Sequence, residues 1–425
     1  MRIEQLYNIY LQWPSIQTDT RKLKKDDLFF ALKGGNFNGN EFALKALENG
    51  AAYAIVDDTS ITGNDKIIQV DNVLQTLQDL AKHHRSQFNI PFIAITGSNG
   101  KTTTKELVHA VLSSAFKTYT TEGNLNNHIG IPLTILKVKK DAEMAVIEMG
   151  ANHQKEIESY CKYTLPSHGL ITNCGKAHLE GFGGVEGVRK GKGELYDFLR
   201  ANNGWAFVLN DYPYLLEMSS GIKNIYTYGS VNADLIGKLI LSEPFLQFNF
   251  FRDNQSVPVS TKLVGDYNLP NALAAVAVGT FFKIDPQQIK TAIEKYTPSN
   301  SRSQLIEKGT NKIILDAYNA NPSSMKAAIE NFSKIHAENK ILVLGGMAEL
   351  GEESLQEHKA IIDLIQQFQW KEVILVGGDF LKINHPFMSF PNSIVAGEWF
   401  RKQQYQHSTL LVKGSRSIKM ENILN

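Results

Sequence analysis

The chain has 425 residues, of which 43% are apolar and 20% charged, proportions typical of globular proteins. Lysine and arginine (44) balance aspartate and glutamate (43), so a surface for nucleic acid or for stable membrane association is not expected. The chain contains no apolar run long enough to span a bilayer, no signal-peptide core, and only Cys161 and Cys174. It is expected to be a cytoplasmic protein without a disulfide framework.

Short apolar strands alternate with helices along three segments, which predicts an α/β fold with parallel sheets. Residues 1–85 contain the strands DLFFAL, AAYAIV and KIIQV. Residues 86–297 contain strands at 92–96, 145–149, 169–172 and 205–209, then a β-rich stretch and the small-residue helix NALAAVAVGTFF. Residues 298–425 contain the strands KIILDAY, KILVLGG, KEVILVGG and TLLVKG, separated by helices.

A glycine turn between a strand and a helix, FIAITGSNGKTTTKE at residues 92–106, indicates a phosphate-binding loop. Glycines allow backbone amides to surround an anion, and the helix N-terminus adds partial positive charge. Lys101 is expected to reach the outer phosphates and the Thr102 hydroxyl to bind Mg²⁺. The spacing is Gly-x-x-Gly-Lys-Thr, because Ile95 stands where the commonest pattern has glycine. The alternative is an ordinary strand-turn-helix with a chance Gly-Lys-Thr.

Polar residues also follow other strands of the middle segment, at the sheet edge where ligands gather. Glu148 ends the strand MAVIEMG, and an acid closing a buried strand is a candidate Mg²⁺ ligand. His178 follows the strand GLITN, in CGKAHLEGFGG. A functional role and a structural or solvent-facing role are equally compatible with a histidine in this loop. Lys190 and Lys192 lie in GGVEGVRKGKGELYDFL, which has the periodicity of a helix yet carries three interior glycines, Gly187, Gly191 and Gly193. From the residues alone, a solvated basic face is favoured over phosphate contacts.

Three further loops carry polar side chains that suit either turns or ligands. EGNLNNHIGIPLTIL (122–136) has three asparagines that could cap turns or orient a polar substrate. DAYNANPSS (316–324) places Asp316 at a strand end, where it could bind ribose hydroxyls, and Asn321 or Ser323 could be a helix N-cap. KGSRSIKME (413–421) is a weak phosphate-binding signal.

These motifs together resemble the Mur ligases of peptidoglycan synthesis across nearly the whole chain. TGSNGKTTTKE is shared with folylpolyglutamate synthases, whereas GNLNNHIGIPLTIL, EMGANH, ITNCGKAHLEGFGGVEGVRKGKGEL, DAYNANPSSMKAAI, LGGMAELGEES and VKGSRSIKME are more specific. The set is similar to that of the ligase acting last in the series. The resemblance implies an ATP- and Mg²⁺-dependent, monomeric enzyme that joins D-alanyl-D-alanine to UDP-N-acetylmuramoyl-tripeptide. It also implies an N-terminal substrate domain, a central phosphate-loop NTPase-like sheet and a C-terminal Rossmann-like domain.

The resemblance implies a role for each matched position. Lys101, Lys192 and Arg302 would be catalytic, with Lys192 carried as a carbamate that turns its ammonium into an anionic oxygen ligand. The nucleotide would be bound by Gly97, Ser98, Asn99, Gly100, Lys101, Thr102, Thr103, Asn268, Asn271, Arg302 and Asp316. The metal ligands would be Thr102, Glu148, His178 and Lys192. The substrate would be bound by Thr18, Asp19, Thr20, Arg21, Asn124, Asn126 and Asn127.

The chain departs from the family pattern at several of these loops. Asn38-Gly39-Asn40 stands where the family usually has Asp-Gly-His, and Tyr267 stands where it has histidine. Lys155 occupies a glycine position, and Ala317 occupies the position of a second acid. Two other functions remain open from the sequence. One is an amide ligase that adds glutamate to a folate or another residue to the muramyl peptide, and the other is a nucleotide-binding protein without turnover.

Overall fold

The computed structural model describes residues 1–253, 255–299 and 301–424. Their contacts divide them into two compact units. The first unit comprises Met1–Ala94, Phe116–Gly150 and Glu156–His168, and the second comprises Ile95–Ala115, Ala151–Lys155 and the chain from Gly169 onward. Within this described part of the chain, no helix combines the length and hydropathy that crossing a bilayer requires.

The first unit begins with a small parallel sheet whose strands are only two to four residues long. Its helices are α1 (Ile3–Gln12), α2 (Ala43–Glu48) and α3 (Val73–Arg85), and its strands are β1 (Ile16–Gln17), β2 (Leu28–Phe30), β3 (Lys33–Gly34), β4 (Phe37–Asn38), β5 (Tyr53–Val56) and β6 (Ile67–Gln69). The sheet order is β1-β2-β5-β6, with parallel pairing throughout. Strands β3 and β4 form a separate antiparallel hairpin. The predicted strands DLFFAL, AAYAIV and KIIQV are confirmed.

Later parts of the chain complete the first unit. They contain the first three residues of β7 (Phe92–Thr96), β8 (Thr118–Thr120), α5 (Gly130–Leu136), β9 (Met144–Glu148) and α6 (Glu156–Thr164). Strands β8 and β9 pair in parallel. All five residues of β9 are buried, so Glu148 ends an apolar strand, as the sequence predicts. Helix α5 is a departure, because the asparagine-rich stretch at 122–136 predicts only a loop there.

The second unit carries the phosphate loop and a strongly buried helix behind it. Its elements up to residue 299 are α4 (Lys101–Ser113), β10 (His168–Ile171, whose first residue belongs to the first unit), α7 (Leu179–Phe182), α8 (Val185–Ala201), β11 (Trp205–Leu209), α9 (Pro213–Met218), β12 (Asn224–Gly229), β13 (Leu235–Leu241), β14 (Gln247–Arg252), β15 (Gln255–Ser260), α10 (Leu269–Phe281) and α11 (Pro286–Lys295). Helix α10 is apolar on nearly every face. A Cβ on its Gly279 would lie 2.5 Å from Val111 of α4, so the glycine permits close packing of α10 on α4.

A six-stranded sheet follows in the same unit. Its elements are β16 (Gln304–Lys308), β17 (Asn311–Asp316), α12 (Pro322–Lys334), β18 (Lys340–Gly345), α13 (Ser354–Ile365), β19 (Glu372–Val376), β20 (Met388–Phe390), α14 (Ser393–Gln403) and β21 (Thr409–Lys413). The order is β16-β17-β21-β18-β19-β20. Only the edge pair β16–β17 is antiparallel, and the others are parallel. Asp316 and Lys413 therefore end neighbouring strands at the same sheet edge.

One buried histidine makes stability depend on pH. His168 is 9% exposed, and burial lowers its pKa to about 4. Below about pH 6.5 the unfolded chain binds a proton that the folded chain resists, so stability falls as pH decreases toward about 4. Between about pH 7.5 and about pH 5 this residue is expected to account for about 2 kcal/mol of lost stability.

The measurement is urea unfolding at both pH values for the wild type and for His168→Gln. The pKa values of His84 and His358 are also lowered by burial, so both proteins will lose stability in acid. The variant should lose about 2 kcal/mol less than the wild type. An equal loss in the two proteins would contradict the assignment.

Candidate active site

Two glycines give the phosphate loop its shape. Gly97 has φ +141°, and a Cβ there would lie 2.0 Å from the Thr172 hydroxyl oxygen at the end of β10. Gly100 has φ +80°, and its Cβ would lie 2.4 Å from Asn271 Oδ1. Positive φ and the absence of space both exclude larger residues at these positions. The loop then enters α4 at Lys101, with Gly100 as the N-cap, which is the strand-turn-helix that the sequence predicts.

Lys101 lies along the inner side of this loop. Its Nζ donates to the carbonyl oxygens of Gly97 at 2.7 Å and Ser98 at 3.1 Å. Both contacts hold the ammonium at the N-terminus of the 13-residue helix α4. A cation there adds to the partial positive charge of the helix end, which favours a polyanion such as a nucleotide phosphate. Thr102 next to it is 5% exposed, and Thr103 is half-buried.

The loop backbone is fixed by the neighbouring strand end. Ser98 N donates to Asn173 O at 2.8 Å, and Ser98 Oγ donates to Gly175 O at 2.8 Å. The Asn99 backbone is held on both sides, because its N–H donates to Asn173 Oδ1 and its carbonyl accepts from Asn173 Nδ2 and Thr172 Oγ1. These contacts hold the loop in one conformation.

Two asparagines predicted to bind the nucleotide, Asn268 and Asn271, form a buried amide network. Asn271 Nδ2 donates to Asn268 Oδ1 at 2.9 Å, and Asn268 Nδ2 donates to Val264 O at 2.8 Å. Thr104 Oγ1 of α4 donates to Asn271 Oδ1 at 3.1 Å. Because Asn271 also lies against Gly100, this pair supports the phosphate loop from behind. That supporting role is not evident from the sequence.

Helix α8 buries Lys192 completely. Its exposed fraction is 0%, its Nζ donates to Ala151 O at 2.9 Å, and the ammonium lies 4.7 Å from the centre of the Phe182 ring. Lys190 is exposed. The solvated basic face favoured from the residues alone is therefore wrong for Lys192 and right for Lys190. Two of the three glycines, Gly187 and Gly191, allow α8 to approach Phe182 closely.

His178 is in the left-handed conformation at φ +54° and pairs with an acid. Its Nδ1 lies 2.5 Å from Glu349 Oε2, and the hydrogen bond from His178 lowers the pKa of Glu349. Within residues 1–253, 255–299 and 301–424, no three His, Cys, Asp or Glu side chains converge as a metal site would require. The predicted ligand set also includes a threonine and a lysine, Thr102 and Lys192, and stays a prediction.

Asp316 is held by two donors at the edge of the C-terminal sheet. Ser303 N donates to Oδ1 at 3.0 Å, and Lys413 Nζ donates to Oδ2 at 2.5 Å. Lys413 is 2% exposed, so the pair is a largely desolvated ion pair. The Arg302 guanidinium lies 3.5 Å from the centre of the Tyr318 ring. Lys413 is the first residue of the Lys-Gly-Ser motif, which the sequence indicates only as a weak phosphate-binding signal, and its pairing with Asp316 is not evident from the sequence.

Tyr267, which stands where the family has histidine, is connected to Asp316 through Ser303. The Tyr267 hydroxyl lies 2.9 Å from Ser303 Oγ, and burial raises the pKa of Tyr267, so the hydroxyl stays protonated. Removing only this hydroxyl in Tyr267→Phe is expected to lower stability by about 1 kcal/mol. The measurement is denaturant unfolding of Tyr267→Phe, Ser303→Ala and the double variant.

Because the two side chains share one hydrogen bond, the double variant should lose about as much stability as either single variant. Fully additive losses would show that the hydroxyls contribute independently and that the contact is not a stabilising hydrogen bond.

In the first unit, Glu148 is positioned by the asparagine-rich loop. Glu148 is 1% exposed, Asn126 Nδ2 donates to its Oε1 at 2.8 Å, and its own N–H donates to Thr121 Oγ1. Asn127 Oδ1 accepts from the backbone N–H groups of Ile129 and Gly130 and stabilises the start of α5. Asn126 thus orients a candidate metal ligand, and Asn127 has the turn-capping role that the sequence left open. Asn124 is exposed.

The predicted substrate-binding residues Thr18, Asp19, Thr20 and Arg21 also lie in the first unit. Asp19 and Arg21 form a bidentate pair, with Arg21 Nε and an Arg21 terminal nitrogen 2.9 and 2.8 Å from the Asp19 oxygens. These hydrogen bonds hold the pKa of Asp19 at about 2. Thr18 and Thr20 are half-buried beside it. Arg21 is 87% exposed in its side chain, so its charge faces solvent.

Family models and a curated relative both place the chain among the Mur ligases. Residues 14–85 match the model of the Mur ligase family catalytic domain, residues 95–279 the Mur ligase middle domain, and residues 301–388 the Mur ligase glutamate ligase domain. The UDP-N-acetylmuramoyl-tripeptide–D-alanyl-D-alanine ligase of Bacillus subtilis (strain 168) is 34% identical over 426 residues, covering 96% of this chain and 92% of the relative.

Solved structures that are similar to this chain belong to the same family. MurF from Acinetobacter baumannii has a TM-score of 0.88 at 31% identity, covering 96% of this chain and 92% of that one. MurF ligase from Thermotoga maritima in complex with ADP has a TM-score of 0.87 at 26% identity, covering 97% of each chain. The predicted α/β class and three-domain architecture are confirmed by these likenesses. The boundaries after residues 85 and 297 stay predictions.

Proposed function

Because the chain belongs to the Mur ligase family, we propose that it joins D-alanyl-D-alanine to the terminal carboxylate of UDP-N-acetylmuramoyl-tripeptide. ATP is converted to ADP and phosphate, and the product is the pentapeptide precursor of peptidoglycan. The observation that carries this proposal is the phosphate loop, with Lys101 at the N-terminus of α4 and its Nζ held over the loop carbonyls.

The reaction needs ATP because a carboxylate does not accept an amine in water. One carboxylate oxygen of the tripeptide attacks the γ-phosphorus, the bond from that phosphorus to the bridging oxygen breaks, and ADP leaves. The resulting acyl phosphate has a good leaving group. The free amine of D-alanyl-D-alanine then attacks the carbonyl carbon, phosphate departs with the carboxylate oxygen, and the amine loses a proton. Phosphoryl transfer depends mainly on alignment and charge neutralisation.

The residues of this chain can supply both the alignment and the charge neutralisation that phosphoryl transfer needs. The N–H groups of the loop and the α4 N-terminus would hold the phosphates in one orientation, and the Lys101 ammonium would leave the loop carbonyls to neutralise them. Arg302, Asn268, Asn271 and Asp316 stay the predicted nucleotide contacts. Both oxygens of Asp316 already accept hydrogen bonds. A ribose hydroxyl would therefore have to share one of these oxygens, which the remaining lone pairs of a carboxylate allow.

Mg²⁺ is part of the proposal, and the donor types are compatible with it. Mg²⁺ prefers oxygen ligands, and the Glu148 carboxylate and the Thr102 hydroxyl are buried oxygen donors. Lys192 as an ammonium donates to Ala151 O and cannot ligate a cation in that state, whereas its carbamate would offer an oxygen. When bound, the ion would neutralise phosphate charge. The cytoplasmic location and the monomeric state also remain predictions.

A turnover assay separates this function from the alternatives. Phosphate release from ATP should require both UDP-N-acetylmuramoyl-tripeptide and D-alanyl-D-alanine, because the acyl phosphate is consumed only when both are present. Turnover with glutamate and a folate, or with another amino acid and a shorter muramyl peptide, would assign the chain to a different amide ligase. ATP binding without turnover under every combination would favour the non-enzymatic alternative.

A further inference from the structure

The asparagine that caps helix α12 makes a second contact outside its own helix. Asn321 is 7% exposed. Its Oδ1 accepts from Ser324 N at 2.9 Å, and its own N–H donates to Ser324 Oγ at 3.1 Å, which forms a reciprocal capping box. Its Nδ2 donates to Asn99 Oδ1 of the phosphate loop at 2.7 Å. One side chain therefore serves the helix and the loop at the same time.

The capping bond fixes which end of the Asn321 amide faces the loop. Only the carbonyl oxygen can accept from Ser324 N, so the amide nitrogen is the end that faces Asn99. Asn99 must then present its own oxygen. The Asn99 backbone is held by Asn173 and Thr172, and its side-chain oxygen accepts from Asn321. Among the described residues, the contact with Asn321 therefore orients the Asn99 side chain.

A neighbouring contact supports the same arrangement. Ser323 Oγ in the first turn of α12 accepts from Lys176 N at 2.9 Å. A Cβ on Gly175 would lie 2.8 Å from that Ser323 oxygen. The segment 173–176 is the one that accepts the hydrogen bonds of Ser98. The start of α12 therefore lies directly against the loop and against the segment that supports it.

We propose that Asn321 is a positioning residue for nucleotide binding. Its amide orients the Asn99 side chain beside the loop N–H groups around Gly100 that would bind the ATP phosphates. This inference rests on the proposed function of the loop. Because the donor belongs to α12, this orientation of the Asn99 side chain depends on α12 being in place. By linkage, a bound nucleotide stabilises that contact in return.

The test uses Asn321→Ser with Ser324→Ala as the matched control. Serine is as good an N-cap as asparagine, but its hydroxyl is too short to reach Asn99. Ser324→Ala removes the other half of the capping box and leaves the Asn321 amide in place. We expect Asn321→Ser to raise the KM for ATP about tenfold, corresponding to one lost hydrogen bond. Its kcat and its KM for D-alanyl-D-alanine should change by less than about twofold. Ser324→Ala should leave the KM for ATP unchanged.

If Asn321 had a purely structural role, the two variants would not differ in their KM for ATP. If Asn321→Ser and Ser324→Ala have the same KM for ATP, the inference is wrong. Calorimetric binding of a non-hydrolysable ATP analogue to both variants keeps this test apart from the proposed function. A wild type that forms no amide bond would overturn the function, whereas analogue affinity that is unchanged in Asn321→Ser would overturn the positioning role alone.

Discussion

Replacing Lys101 by methionine is expected to lower the rate of peptide ligation by about 10³-fold, or about 4 kcal/mol of transition-state stabilisation. Methionine keeps most of the apolar stem and removes only the charge that the loop carbonyls of Gly97 and Ser98 now hold. The transferring phosphoryl group has no substitute for this cation within the loop, because Ser98, Asn99 and Gly100 supply neutral groups. Initial rates of phosphate release and of pentapeptide formation measure the loss.

Lys105→Met is unsuitable as a control, because Lys105 is 3% exposed and pairs with Glu106. Lys117 is the better control, since its side chain is 61% exposed and its ion pair with Asp141 lies on the surface. Lys117→Met should retain the wild-type rate. If Lys101→Met ligates as fast as Lys117→Met, the loop does not hold the reacting phosphate.

Replacing Lys192 by methionine is expected to lower the ligation rate by at least about 10²-fold while the protein stays folded. The side chain is completely buried, and its ammonium donates to Ala151 O and lies near the Phe182 ring. Methionine of similar length fills the same buried space without a charge that must be paired. Folding should therefore be preserved or improved, and the activity lost would be that of the carbamate predicted from the resemblance.

Lys190→Met on the exposed face of the same helix is the matched control and should retain full activity. Thermal unfolding of both variants shows whether Lys192→Met remains folded. The carbamate adds a second readout, because wild-type activity should fall when dissolved CO₂ is removed and recover when bicarbonate is added. A fully active Lys192→Met would make Lys192 a structural residue.

The local parts of this fold could be predicted because they depend on local sequence. The strand, turn and helix around Gly97 to Lys101 follow from β-branched residues, glycine and helix periodicity. Glu148 at the end of a buried strand follows from the apolar run before it. Helix α5 was missed because the asparagines before it suggest a turn, and the cap that Asn127 provides for the helix is one of several roles that an asparagine there could have.

The pairing of distant residues could not be predicted in the same way. Asp316 with Lys413 and Asn99 with Asn321 are separated by about one hundred residues or more, and each pair depends on which strands and helices become neighbours. Lys192 illustrates the same limit. Helical periodicity placed it in a basic, glycine-rich stretch, but only the packing of α8 shows that it is buried and Lys190 is not.

Two departures from the family pattern are explained by their surroundings. Asn40 is 2% exposed, its Nδ2 donates to Asn38 and Asp57, and its Oδ1 accepts from Asp57 N. The two asparagines thus form a consistent amide pair in place of an acid and a histidine. Lys155, where the family has glycine, has φ +73°. This conformation costs a non-glycine residue about 1 kcal/mol, which explains why glycine is usual there.

The most direct test of the account follows the oxygen that carboxylate activation transfers. UDP-N-acetylmuramoyl-tripeptide labelled with ¹⁸O in its terminal carboxylate is incubated with the enzyme, ATP and D-alanyl-D-alanine, and the released phosphate is analysed by mass spectrometry. Attack of that carboxylate on the γ-phosphorus predicts one labelled oxygen in each phosphate formed with pentapeptide. Unlabelled phosphate accompanying labelled pentapeptide would show that ATP does not activate the carboxylate, and the account would be contradicted.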